Sequence, residues 1–193
     1  MDAERPGEGA GPPALQWRIP WRAIRRQLTI FCGTVATIAL VALCTSVLAV
    51  WLQGRRDEAR SADLLVVVAP APPTEALLEH SLELFRRGYA PQIMLVGAGG
   101  AALRAQLAER GVPEAAMLVT TPEEAAEAIS AAQRGGASSA LVAGPPAELL
   151  LWLKLARDNG LRAYGAPTPG ETATLPELLA AGARYWRYAL LQR

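Results

Sequence analysis

Two short stretches carry the residue types that do chemistry in a crevice. Gly97-Ala98-Gly99-Gly100-Ala101-Ala102 satisfies the spacing G-x-G-x-x-A, in which glycines let the backbone close on a phosphate and the amides of a helix start supply donors. Thr120-Thr121-Pro122-Glu123-Glu124 sets two hydroxyls beside two carboxylates. A ligand set of Gly97, Gly99, Gly100, Thr120, Thr121 and Glu123 follows, with Glu123 or Glu124 as the carboxylate available for proton transfer. Each stretch also has a plainer reading. The glycines suit a tight turn, and a Thr before Pro and two acids is an ordinary helix start with negative charge at the positive end of the dipole. The glycine motif follows the second expected strand rather than the first and has no acidic ribose partner about 20 residues on, which favours the turn.

No second constellation is apparent. His80, the single histidine, falls in mid-helix beside Glu79, Ser81 and Glu83 and reads as an exposed helix residue, away from any strand end where a Ser/His/Asp set would converge. One histidine and carboxylates on separate helices make no metal cluster, and Cys32 and Cys44 both lie inside an apolar run, so no metal, disulfide or cofactor is expected. The loop Gly144-Pro145-Pro146-Ala147-Glu148 has one ionisable group, and its two prolines remove amide donors.

The elements that would position these residues alternate. Short hydrophobic runs at 63–69, 92–97, 116–119, 139–143 and 161–164 read as strands buried on both faces, and the stretches 73–87, 101–110, 122–134, 147–159 and 175–191 read as helices. Strand and helix in turn predict a Rossmann-like open parallel sheet of about five strands with helices on both faces. Ligands of such sheets bind beyond the carboxyl ends of the strands, which directs attention to the loops from Ala69, Gly97, Thr120 and Gly144. Gly111 and Gly160 stand where helix C-caps want a residue that tolerates positive φ. In the last helix Tyr185, Trp186, Tyr188, Leu190 and Leu191 form a stripe that either covers a sheet face or supplies contact surface.

The chain has 193 residues, enough for one ordinary domain with some length left over. With 51% apolar and 19% charged residues and a net charge of +1, it excludes wholesale disorder and the charge excess of a nucleic-acid binder. Residues 63–193 carry thirteen acidic and eleven basic side chains, so no nucleic-acid partner is expected.

Residues 28–52 run for twenty-five positions without a charge. At about 1.5 Å per residue they reach roughly 37 Å, enough to cross a hydrocarbon core of about 30 Å with some tilt. A cleaved signal peptide ending at Val47-Leu48-Ala49 is the competing reading, but such signals are shorter, and an uncleaved single-pass anchor into the lipid bilayer is expected. Arg18, Arg22, Arg25 and Arg26 precede the run, and Arg55, Arg56 and Arg60 follow it, which leans towards a cytoplasmic N-terminus with the domain on the outer face. Trp17, Trp21 and Trp51 flank the span, where indoles favour the headgroup layer. The expected organisation is a short, partly disordered cytoplasmic tail at 1–27, a transmembrane helix at 28–52, a polar linker at 53–62 and an α/β domain at 63–193.

The strings at 63–68 (DLLVVV), 82–93 (LELFRRGYAPQI) and 111–114 (GVPE) resemble the YdcF/SanA/ElyC family of bacterial envelope proteins, long catalogued as a domain of unknown function. The resemblance covers residues 62 to about 191, and many members place this domain behind one or two membrane helices. The family's polar signature is a Gly closing the first strand, Ser-Gly-Gly after the second, Asn-Thr-x-Glu-Asn at the third and His-x-x-Arg after the fourth. Here Ala69 replaces the first Gly, and Val96, Gly97 and Ala98 stand for Ser-Gly-Gly. Thr121 and Glu123 are kept between Thr120 and Glu124, and Ala147 and Leu150 fall at the His and Arg positions. Losing both a potential acid-base and an anion clamp implies a degenerate, non-catalytic binding or interaction module linked to cell-envelope biogenesis. The alternatives are an enzyme acting on a phosphate-containing envelope metabolite or lipid carrier, and an accessory subunit beside a membrane-protein partner.

Overall fold

The computed structural model describes residues 21–53 and 55–191, with side chains from Arg25 to Leu190 apart from residue 54. Residues 1–20 of the expected tail, Trp17 and Arg18 among them, and the side chains of Trp21, Arg22 and Leu191 lie outside the described residues, whereas residues 21–27 are helical. The chain divides into two compact units at Leu40/Val41.

The first unit contains the opening turns of helix α1 (Trp21–Gln53). From Arg25 to Leu40 every side chain is exposed, as with Leu28 at 60% and Phe31 at 67%, and the helix has no polar face. The hydroxyls of Thr29, Thr34 and Thr37 donate to the carbonyls of Arg25, Ile30 and Gly33, so these polar groups are satisfied inside the helix. A stretch of 29 residues, Arg25–Gln53, is long and apolar enough to cross a membrane.

The second unit holds the last turns of α1 and an α/β domain. Strands β1 (Leu64–Val68), β2 (Ile93–Val96), β3 (Met117–Thr120), β4 (Ser139–Gly144) and β5 (Arg162–Pro167) form one parallel sheet in the order β3-β2-β1-β4-β5. Leu65 pairs with Ile93 on one side and Leu141 on the other. The three central strands are buried throughout, as their unbroken apolar runs require, while the edge strands β3 and β5 each expose part of their length.

Alternate residues feed two cores. Leu65, Val67, Leu95 and Leu141 pack under α2 (Glu75–Arg86) and α3 (Gly100–Glu109), while Val66, Met94 and Val142 pack under α4 (Ala125–Arg134) and α5 (Leu149–Asp158). Each fully buried leucine here contributes about 2 kcal/mol of transfer free energy. Gly111 and Gly160 take φ of 89° and 83° just beyond α3 and α5, the left-handed conformation expected at their C-termini.

Helix α6 (Leu175–Leu191) does not cover the sheet. It packs on α5, and through Leu178 and Ala181 it forms a third cluster with Val50 of α1 and Ala147 of the β4 loop. At its start the Glu177 carboxylate accepts the Thr174 amide at 2.8 Å, the backward half of a capping box, which lowers the Glu177 pKa. The aromatic stripe is therefore not a sheet-covering face. Tyr188 alone of its aromatics joins a core cluster, while Trp186 and Leu190 are 39% and 71% exposed.

The polar linker is tied down along β5. Glu58 N–H donates to the Gly165 carbonyl at 2.8 Å, Ala62 N–H to that of Tyr89 at 2.7 Å, and the Arg60 guanidinium lies 4.6 Å from the Tyr164 ring centre.

Candidate functional site

The sheet order sets the place where a ligand can enter. The connection after β1 leads to β2 on one side, and β4 lies on the other side of β1, so the loops after β1 and β4 part and leave a crevice at their carboxyl ends. A groove of about 1290 Å³ opens there and continues along the outer side of α5 to α6. Its inner end is walled by Ala69 and Pro70 after β1, Gly97 after β2, Pro122 and Glu123 after β3, and Pro145, Pro146, Ala147 and Glu148 after β4. Its outer end is walled by Trp152 and Lys154 of α5 and by Arg184, Arg187 and Tyr188 of α6.

Of the residues singled out from the sequence, Gly97 and Glu123 line this groove; Gly99, Gly100, Thr120, Thr121 and Glu124 are not among its lining residues. The glycines serve the packing of one loop on another. A Cβ on Gly99 would stand 1.9 Å from the Pro70 carbonyl oxygen, and one on Gly97 2.6 Å from that of Ala69. Gly99 N–H donates to the Ala69 carbonyl at 3.1 Å and Gly100 N–H to that of Gly97 at 3.0 Å, so both amides are engaged inside the protein rather than aimed at a phosphate. Thr120 is buried with its hydroxyl on the Thr121 carbonyl, and Thr121 Oγ1 accepts the Glu124 amide at 3.3 Å, the helix-start role that its neighbours suit.

The structure adds residues that sequence reasoning did not assemble. Arg184 of α6 reaches Glu148 of the β4 loop at 2.6 Å and brings a guanidinium to the crevice from 36 positions away in sequence. Thr74 Oγ1 donates to Glu171 Oε1 at 2.7 Å and accepts the Leu77 amide, joining the β1 loop to the loop after β5 while capping α2. At the outer end Lys154 pairs with Asp158 at 2.9 Å, and burial, followed by the Asp158 charge, raises the Tyr188 pKa. No local pattern joins Arg184 to Glu148; the one available sign was that Glu148 is the sole ionisable group in a proline-stiffened loop.

His80 is half-buried rather than exposed, on the α2 side of the sheet, and is not among the groove residues. Burial lowers its pKa, against the Ala166 backbone and the charges of Asp57 and Glu83, which pull it upward. Its Nε2 has no hydrogen-bond partner among the described residues.

The groove carries five carboxylates, Glu123, Glu148, Asp158, Glu171 and Glu177, against the cations Lys154, Arg184 and Arg187. That balance disfavours a free anion, and Arg184, the guanidinium that reaches the β4 loop, is already paired with Glu148. Among the described residues, no group of three or more His, Cys, Asp or Glu is placed to hold a metal ion. The arrangement can enclose a ligand between rigid proline loops and a charged helix face; its lining shows no histidine and no cysteine. Comparison of the chain with protein-family models and with curated proteins finds no match.

Proposed function

We propose that this chain is a membrane-anchored, YdcF-like α/β protein of the bacterial cell envelope whose domain is a non-catalytic binding or interaction module. The observation that carries the reading is the make-up of the groove. Ala147 forms its wall and Leu150 packs in the cluster beside it, at the positions where the resemblance would put a histidine and an arginine. Of the charges that remain, Arg184 is engaged with Glu148 and Lys154 with Asp158. A site built this way is suited to holding a ligand by shape and a few polar contacts, and its lining offers no histidine as an acid-base group. The anchor is the apolar helix α1. Four arginines before the span against three after it support a cytoplasmic N-terminus with the domain on the outer face.

The test is a thermal-shift screen of the full chain in non-ionic detergent against neutral, cationic and phosphorylated envelope metabolites. A shift lost in Glu123→Ala and Glu148→Ala supports binding in the groove. Turnover of a phosphorylated lipid precursor, abolished in Glu123→Gln, replaces this reading with the enzymatic one. Protease protection in spheroplasts checks the sidedness: the domain is digested from outside if the orientation is right.

A further inference from the structure

The last turns of α1 are covered by protein on one side. Ala42, Ser46, Val50 and Gln53, spaced four, four and three residues apart, lose exposure along one helix face together with the neighbouring Val47, and Val50 is 1% exposed. α6 supplies much of that cover and runs antiparallel to α1: Val50 clusters with Leu178 and Ala181, Ser46 lies beside Gly182, and Trp186 Nε1–H donates to Ser46 Oγ. The direction matters, because the turn of α6 beyond Trp186 runs on from the level of Ser46 towards that of Ala42, further into the uncharged run.

The length of the apolar run agrees. A hydrocarbon core of about 30 Å takes about 20 residues. The twenty-five uncharged residues exceed this by about five. Counted from Leu28, the core is filled at about Val47, beside the residue that Trp186 holds. Trp51, with the Arg55 guanidinium 4.2 Å from its ring centre, then falls about 6 Å beyond the core, in the headgroup layer that suits an indole and an arginine.

α6 presents a matching surface. Leu175, Leu179, Trp186 and Leu190 are all exposed, and at 100° per residue they fall within about 60° of one another, bordering the face turned to α1. Towards the C-terminal end this stripe is flanked by Tyr185 and by Arg187, which has no ion-pair partner among the described residues. An apolar edge with aromatic rings and an arginine long enough to reach upward is the composition of a helix end seated at the headgroup–acyl boundary.

We infer that the C-terminal turns of α6, with Trp186 and Leu190 foremost, form a second lipid contact beside α1, so that the bilayer boundary lies at Ser46 and the domain is held against the membrane by two helices. The inference rests on α1 being a membrane span. Its occupant is the lipid bilayer, chosen because the exposed stripe continues the surface of α1 at the depth where the span runs out.

The experiment uses the full chain, with Cys32 and Cys44 changed to Ala, reconstituted in phosphatidylcholine–phosphatidylglycerol vesicles. Single nitroxide labels are placed at Ile38→Cys, Leu175→Cys and Leu190→Cys, all exposed positions, and collisions with oxygen are compared with those of a water-soluble nickel chelate. The expected result is a positive depth parameter at Ile38 and at Leu190 and a negative one at Leu175. A negative value at Leu190 with a positive one at Ile38 overturns the lipid contact and leaves the span intact; negative values at both overturn the span and the contact with it. Spin–spin broadening between Leu190 labels overturns the inference in favour of a second copy on this face.

Discussion

Arg184 and Glu148 form an ion pair, 2.6 Å apart, that joins the last helix to the loop at the carboxyl end of β4. Glu148 keeps 22% of its side-chain exposure and Arg184 44%, so the pair is partly screened and holds the groove's shape more than it stabilises the fold. Arg184→Met, which keeps the aliphatic stem, is expected to cost about 0.5 to 1 kcal/mol. In thermal melts of the full chain in detergent this reads as a Tm lower by about 1 to 4 °C. A double-mutant cycle with Glu148→Gln isolates the pair: coupling that shrinks with added salt is expected, and zero coupling at low salt refutes the pairing.

The glycines before α3 are explained by close approach, and this distinguishes packing from ligand binding. Gly99→Ala places a methyl 1.9 Å from the Pro70 carbonyl oxygen, backbone that cannot yield without moving the β1 loop. The expected loss is about 2 to 3 kcal/mol with no ligand present. Ala101→Ser, exposed on the first turn of the same helix, is expected to change stability by less than about 0.5 kcal/mol. Equal stabilities for the two variants in chemical denaturation would refute the packing account.

His80 makes stability depend on pH below neutrality. Its folded pKa lies below the ordinary 6.5, with burial as the main cause, so the unfolded chain binds the proton more readily. Stability from this source is therefore full above about 6.5 and declines as pH falls towards the folded pKa. His80→Gln is expected to lose that decline, and the difference in Tm between the two proteins should narrow from pH 7.5 to 5.5 if wild type is the more stable at the upper end. A wild-type profile parallel to that of the variant across this range removes the proposed linkage.

The sheet was legible because its physics is local. Strands buried on both faces must be apolar, and residues 64–68, 93–96 and 140–143 within the expected runs are; Gly111 and Gly160 stop helices where only positive φ continues the chain. The groove was half legible: a parallel sheet directs ligands to the carboxyl ends of its strands, where Gly97 and Glu123 lie, but Gly99 and Gly100 read the same whether they cradle a phosphate or admit the Pro70 backbone. Arg184 and the burial of His80 were not legible, since ion pairs and half-buried polar groups follow no period. The role of α6 stayed open for the same reason. A stripe of Tyr, Trp and Leu is equally good on a sheet or elsewhere, and its placement was decided by the last turns of α1, which the composition assigned wholly to the membrane.

Asp63 fixes the start of β4 to the start of β1, and its titration reports that junction. The Ser138 amide and hydroxyl and the Ser139 amide and hydroxyl all donate to its carboxylate, at 2.8 to 3.0 Å, and hold its pKa down to about 2 from 3.8. Because the folded pKa is depressed, the carboxylate's contribution is fully present above the unfolded value of 3.8 and is lost as pH falls from there through about 2. Asp63→Asn is expected to be less stable than wild type at pH 7 and to converge with it as pH falls towards 2. Ser138 is the largest cause of the shift, so Ser138→Ala should raise the Asp63 pKa towards the ordinary value, read by NMR titration of its carboxyl carbon. A carboxyl that titrates near 3.8 in the folded wild-type protein would show that the four donors do not converge on it, and the link between β1 and β4 would then rest on the ladder hydrogen bonds alone.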